Sequence, residues 1–471
     1  MKKILLTALA FILVMTLAAG CGNGAAPPAA ASPPAPPAAA APQETAKESG
    51  HDFVLVPPKY DYVFNFAEGM AVVAADDKFG YINMKGEEIV PLKYDLAFEF
   101  REGLAVVMVG EKYGYINLKG EEVVPPIYDY AYDFFDGYAG VMLGDKYGLI
   151  DKTGKVIIPV EYDFVNYFRQ GLCAVQLGDK WGYINMAGEE VIPFKYDRAY
   201  SFDEEGMAAV MLGEKYGFID KTGKEIVPLK YDYVSGYTEG FSIVMLDELY
   251  GFIDRTGKEI VPPKYEYAEE FSEGMAAVMM DGKYGFVDKT GKEVVPPKYD
   301  EVAPFCEGMA GVVLDGMLGF IDETGEEVIP LIYNGGFESF SDGLALVSLD
   351  SKYGVIDKTG KIVVPHKYDG IGPFSEGLAV VANFDSGNKY QLNHGFIDKT
   401  GKEVVPLIYA NAGSFSNGMA IIVIDGKYGY IDSTGAEVIP PMYDGCYPVQ
   451  DGGVAWVKQD GKYGLVGFAG F

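Results

Sequence analysis

An aromatic–glycine step recurs along this chain at an almost fixed interval, and no other feature limits the fold so tightly. Its glycines are Gly80, Gly114, Gly148, Gly182, Gly217, Gly251, Gly285, Gly319, Gly354, Gly395, Gly429 and Gly464, spaced 34 or 35 residues apart except for one interval of 41. Units this short cannot each own a core. Each must bury its apolar face on its neighbours, so twelve copies imply an array that grows by adding units. The three domains that 471 residues would otherwise suggest are therefore not expected.

The unit reads clearly from Tyr265 to Lys298. After Gly274, MAAVMM is an unbroken apolar run of strand length, as expected of a strand buried on both faces. Asp281-Gly282-Lys283 is a tight hairpin signal. A second strand, Tyr284–Asp288, carries Gly285, whose recurrence suggests close approach between neighbouring repeats. The turn Asp288–Lys292 has Gly291 where φ must be positive. A third strand, Glu293–Pro296, is expected to stop at proline or to lie at an edge. Period-two aromatics then follow, such as Tyr60, Tyr62, Phe64, Phe66 and Tyr128, Tyr130, Tyr132, Phe134, and predict a half-buried fourth strand.

The expected fold is thus all-β, a twelve-copy array of short antiparallel meanders. Packing like a β-propeller is favoured, and an open superhelical β-solenoid is the alternative. The array begins at a third strand (53–57) and ends after a second (463–466), so the first piece could complete the last copy and close a ring. Two six-membered rings are also compatible, since propellers typically have four to eight blades.

Ahead of the array, residues 1–20 have Lys2 and Lys3, an apolar run and small residues, the plan of a signal peptide. Leu17-Ala18-Ala19-Gly20-Cys21 resembles the bacterial lipobox, although Ala18 stands where leucine is commoner. That resemblance implies diacylation of Cys21 and a stable membrane anchor. Residues 21–52 then form a linker, nearly all Ala and Pro over 25–43, which favours an extended spacer. The folded domain is expected over 53–471.

The net charge of −30 excludes nucleic acid and anionic headgroups as partners. Cys173, Cys306 and Cys446 fall at three different phases of the repeat, which is neither a disulfide framework nor a metal spacing. They read as small buried hydrophobes.

With these motifs in view, the chain resembles the WG-repeat (KWG-repeat) family of bacterial proteins. Residues 271–300 carry the family pattern almost whole, from F-S-E-G-M-A to K-Y-G-F-V-D-K-T-G-K-E-V-V-P-P-K-Y-D. The eponymous tryptophan is present only at Trp181. Elsewhere the position holds Phe79, Tyr113, Tyr147, Tyr216, Tyr250, Tyr284, Tyr353, Tyr428 or Tyr463, with Leu318 and His394 as outliers. The resemblance implies a repeat scaffold for binding and carries no catalytic activity.

Catalysis would need one unlike constellation among like copies. His51, His366 and His394 pair with no nucleophile or metal-spaced partner in sequence. The turn carboxylates Asp151, Asp220, Asp254, Asp288, Asp357 and Asp398 are each followed by Lys or Arg and are replaced by Asn83, Asn117 and Asn185 in other copies. A side-chain-to-backbone turn bond accounts for both residue types, whereas calcium wants several closely spaced acids. No cofactor and no metal are expected. The 35 Tyr and 28 Phe can serve the core, a protein interface or stacking on sugars. The long interval holds an insertion at 383–393, which in a repeat array maps to a loop. The expectation is a membrane-anchored, extracytoplasmic, non-catalytic scaffold whose partner is an envelope or extracellular protein. A module binding cell-wall glycan through exposed aromatics is the alternative.

Overall fold

A computed structural model describes residues 53–335, 339–384 and 392–468. The leader, Cys21, the Ala/Pro linker, His51 and the insertion residues 385–391 lie outside the described residues. Within them the chain is all strand and turn, with no helix.

Twelve antiparallel sheets follow one another. We number them sheet 1 (62–94), 2 (96–128), 3 (130–162), 4 (164–196), 5 (198–231), 6 (233–265), 7 (267–299), 8 (301–333), 9 (344–368), 10 (370–409), 11 (411–443) and 12 (445–467 with 54–60). Sheet 3 shows the plan. A two-residue strand, Tyr130–Ala131, is followed by Tyr138–Leu143, Lys146–Asp151 and Val156–Tyr162. Sheet 9 has three strands and a bridge, Gly335↔Ser348, where its first strand would lie.

The first strand of the chain, Val54–Tyr60, pairs with the last, Lys462–Gly467, and completes sheet 12. Twelve buried clusters lie between consecutive sheets all the way round, including sheets 11 and 12 and sheets 12 and 1. The array is therefore one closed, propeller-like ring. The open solenoid and the pair of smaller rings do not occur.

The apolar runs behave as the sequence predicts. Met70 and Val72 face sheet 2 while Ala71 and Val73 face sheet 12, so this strand is buried on both sides. Each fully buried valine contributes about 1.5–3 kcal/mol.

Two expectations need correction, and a third is decided between its alternatives. The third strand lies at an edge, as one of its two readings had it, and does not stop at proline: Glu293–Tyr299 runs through Pro296 and Pro297, with a register shift against its neighbour. It can do so because it is an edge strand, where a missing donor costs no ladder bond. The aromatic fourth strand shrinks to two paired residues in most copies and starts the next sheet. The recurring glycine of the aromatic–glycine step meets its own sheet rather than a neighbouring repeat. A Cβ on Gly114 would lie 2.5 Å from the Val124 carbonyl oxygen. Close approach between repeats belongs instead to the turn glycine. Gly120, at φ +77°, would place a Cβ 2.7 Å from Val90 Cγ2 of the preceding sheet.

The ring's seam has side chains that other junctions lack. Trp456 is buried, stacks on Phe66 at 5.7 Å and donates its indole N–H to the Phe64 carbonyl at 2.9 Å. The Phe66 amide donates to Gln450 Oε1 at 2.7 Å.

Candidate interaction face

Antiparallel register places one row of side chains across each sheet, just below the hairpin joining its second and third strands. In sheet 3 the row is Tyr130, Met142, Tyr147 and Tyr162. In sheet 7 it is Tyr267, Met279, Tyr284 and Tyr299. In both, the fourth-strand tyrosine is buried, the third-strand tyrosine and the methionine are half-buried, and the first-strand tyrosine is exposed. A second exposed ring stands two residues further along the first strand in Phe64, Tyr132, Tyr200 and Tyr447.

Rings from adjacent sheets join into a track. Tyr113, Tyr130, Tyr132, Tyr147, Phe164 and Trp181 touch in succession at centroid distances of 5.3, 4.9, 6.5, 5.7 and 5.6 Å, crossing sheets 2, 3 and 4. Tyr250, Tyr267 and Tyr284 repeat the arrangement at 6.1 and 6.4 Å. Burial, then the neighbouring Tyr147 and Tyr130, push the Tyr132 phenol up to about 12. The phenol is thus uncharged at neutral pH.

Beneath the rings runs a feature not visible in the periodicity. The carbonyl two residues along each first strand receives a buried side-chain donor in seven consecutive sheets, 12 and 1–6. The donors differ in kind. Tyr430 supplies Tyr447 at 2.6 Å, Trp456 supplies Phe64 across the seam, and Tyr81 supplies Phe98 at 2.7 Å. Tyr115 supplies Tyr132 and Tyr183 supplies Tyr200, both at 2.7 Å. The Cys173 thiol supplies Asn166 and the Ser242 hydroxyl supplies Ser235, both at 2.9 Å. Among the described residues, the equivalent carbonyls of Glu269, Ala303, Gly372 and Gly413 have no such donor; Phe252, Phe286 and Phe396 stand where three of the tyrosines would. Five of the seven acceptors belong to ring residues (Tyr447, Phe64, Phe98, Tyr132 and Tyr200) and two to Asn166 and Ser235; in each case a protein donor avoids the cost of leaving a shielded carbonyl unpaired.

An ionic clasp marks the same stretch. Lys146, at the hairpin tip of sheet 3, meets Asp163 at 2.6 Å, and Asp163 Oδ2 accepts the Gly178 amide of the sheet 4 tip at 2.7 Å. The lysine bond, then the amide, holds the Asp163 carboxyl below its usual range. Equivalent pairs are Lys427–Asp444, Lys462–Asp61, Lys78–Asp95, Lys112–Asp129, Lys180–Asp197 and Lys215–Asp232, so the seven junctions from sheets 11/12 round to sheets 5/6 are clasped in a row. Beyond them unclasped and clasped junctions alternate: Lys283–Asp300 and Lys352–Asp369 are paired. Where lysine is replaced, its aspartate is replaced too, as Leu249 with Glu266, Met317 with Asn334, and Asn393 with Ala410.

The other sequence candidates resolve as follows. Asp151 Oδ1 accepts the Thr153 amide, the Thr153 hydroxyl and the Lys155 amide at 2.8, 2.6 and 3.1 Å, a turn bond. Asn83 makes the same turn and also donates to Glu87 at 2.7 Å, which accounts for glutamate in the place of Lys155. His366 of sheet 9 stacks on Tyr333 of sheet 8, and burial lowers its pKa. His394 takes the aromatic position of sheet 10. Cys173 is buried but acts as a donor rather than as mere filler, while Cys306 and Cys446 are half-buried. The ends of the insertion, 383–384 and 392–393, belong to the paired strands Leu378–Phe384 and Leu392–Asp398 of sheet 10.

The family model described as "WG containing repeat" matches twelve segments, from 54–79 through 353–383 and 395–428 to 428–463. No curated protein matches the chain. Among solved structures it is similar to a eukaryotic initiation factor, with 11% identity, 62% of this chain and 92% of that one covered, and a TM-score of 0.31. It is also similar to the extracellular domain of a putative hybrid two-component system from B. thetaiotaomicron, at 10% identity, 85% and 68% coverage, and a TM-score of 0.22. A third is PorZ, a surface component of the type-IX secretion system of Porphyromonas gingivalis, at 10% identity, 89% and 73% coverage, and a TM-score of 0.19.

Proposed function

This chain belongs to the WG-repeat family, and from that premise we propose that it is a non-catalytic scaffold that binds a protein partner outside the cytoplasm, tethered by lipid on Cys21. The observation that carries the reading is the apolar face of sheets 2–5, where Tyr130, Tyr132, Phe164 and Tyr200 are exposed, Met108, Met142 and Met211 half-buried beside them, and Leu143, Leu177 and Leu212 exposed at the hairpin tips. Tyrosine offers a large ring with a polar tip at low entropic cost, and methionine adapts to irregular partners. Aliphatic tips such as Leu143 and Leu177 favour a polypeptide over a glycan, which stacks on rings and gains little from leucine.

Two experiments test this. Cys21→Ala should release the protein from the membrane fraction, and retention there counts against the tether. A photo-crosslinking residue placed at Tyr130 or Tyr200 on intact cells should give one discrete protein adduct that is absent when the probe stands at Tyr353. Adducts of equal yield from both faces, or co-sedimentation with isolated sacculi that soluble glycan competes, would overturn the protein reading in favour of cell-wall binding.

A further inference from the structure

The charge pattern around the same face goes further than its apolar character. Each hairpin tip of sheets 2–5 carries an exposed carboxylate: Glu111, Asp145, Asp179 and Glu214. Each tip also carries a lysine, but Lys112, Lys146, Lys180 and Lys215 are all engaged by the junction aspartates. The tip carboxylates are therefore left as a negative fringe, one per sheet. Beside them stand Val109, Leu143, Leu177 and Leu212, each 43–50% exposed, and then the aromatic track. Arg198 of sheet 5 is a cation set into the row.

We propose that this face seats a basic amphipathic polypeptide, its apolar side chains on the Tyr/Met/Leu row and its lysines or arginines against the tip carboxylates. The inference rests on the reading of this face as a protein-binding surface. Charge complementarity selects the partner: an acidic segment is repelled at every tip, and a neutral apolar one leaves the fringe unused. Capped carbonyls and clasped junctions hold the row in place before the partner arrives, which lowers the ordering cost of binding.

A −30 chain attracts any polycation, so the test needs a control of equal charge. Two triple variants of the full chain change the net charge identically. One is Glu111→Gln, Asp145→Asn, Asp179→Asn. The other is Asp315→Asn, Asp350→Asn, Asp425→Asn, at the tips of sheets 8, 9 and 11. The probes are a synthetic leucine/phenylalanine peptide bearing lysines, the same peptide bearing glutamines, and soluble peptidoglycan fragments. Affinity for the lysine peptide should fall about tenfold in the first variant and less than about twofold in the second, with salt weakening the parent protein. Equal losses in both variants would show diffuse attraction and overturn the inference. Equal binding of the lysine and glutamine peptides would overturn it as well while leaving the protein-binding reading intact. Binding of the glycan fragments with neither peptide bound would overturn both.

Discussion

Sheets 12 and 1–6 differ from sheets 7–11 although both arcs repeat one scaffold. The turn bonds, the buried fourth-strand tyrosine and the tight glycine recur throughout. Yet in the first arc the carbonyl two residues along each first strand is capped from below, the seven junctions that bound its sheets from 11/12 to 5/6 are clasped, and each sheet carries at least one ring at the two outward positions. In the second arc sheet 7 keeps one exposed ring, Tyr267, beside Glu269, whereas Glu301 and Ala303, Gly370 and Gly372, and Asn411 and Gly413 occupy those positions in sheets 8, 10 and 11, and clasps alternate with gaps. The lesson lies in the donors. An indole, four phenols, a thiol and a hydroxyl reach equivalent carbonyls from different positions, so the geometry is shared while its chemical means are not. A ring of like units has become one-sided.

That comparison can be broken at several points. The largest effect should be shared by both arcs. Gly114→Ala and Gly395→Ala each drive a Cβ to about 2.5–2.6 Å from a carbonyl of the same sheet and should each cost about 3 kcal/mol or more in urea unfolding. Unequal costs would show that the scaffold itself, and not only its face, differs between arcs. Next, removing rings with Tyr130→Ser, Phe164→Ser and Tyr200→Ser together should weaken a polypeptide partner about a hundredfold by calorimetry. Tyr353→Ser with Tyr428→Ser should change it by less than about twofold.

Smaller again is the cap. Tyr115→Phe leaves the Tyr132 carbonyl unpaired beneath its ring and should cost about 1–3 kcal/mol. The reverse change, Phe286→Tyr in sheet 7, should be tolerated within about 1 kcal/mol. Cys173→Ser should keep its bond, as Ser242 does, where Cys173→Ala should not. The mildest effect is acid sensitivity. Aspartates such as Asp163 and Asp232 are held below their usual range by lysine first and a backbone amide second. Their contribution is complete above the unfolded value of about 4 and is lost as pH falls through the folded value. Hydrogen exchange in acid should therefore loosen the clasped junctions at Asp163 and Asp232 while leaving those at Asn334 and Ala410 at their neutral-pH protection.

Much of this architecture is legible in the residues alone. A constant period, a third strand at the start of the array and a second strand at its end allow a ring closed by the first strand, because each leaves a sheet edge the other can complete. They are equally compatible with an open array or two smaller rings, which only the pairing of Val54–Tyr60 with Lys462–Gly467 excludes. The Asp-or-Asn turn is readable because both residues offer the same oxygen. What stays hidden is anything joining two positions that periodicity treats separately. The pairs Tyr81–Phe98, Tyr115–Tyr132, Tyr183–Tyr200 and Tyr430–Tyr447 are all 17 apart, a signal present in the sequence and lost among so many rings. The Cys173 and Ser242 donors sit only seven residues from their acceptors and resemble small fillers. The edge position of the strand through Pro296 is readable because proline bars a central strand but not an edge, whereas its run on to Tyr299 is not, since the same proline equally allows a strand to end.

Closure by the N-terminal strand has a mechanical consequence. A pull on the chain ahead of Phe53 is delivered straight to Val54–Tyr60, which hydrogen-bonds along one edge only. The load runs along the strand axis, so its rungs are sheared together rather than unzipped singly, and Lys462–Asp61 with Trp456 ties sheet 12 to sheet 1 just beyond it. Should that strand slip, the remaining eleven sheets keep their internal pairing and the circle becomes a line. The element that shuts the ring is also its fuse.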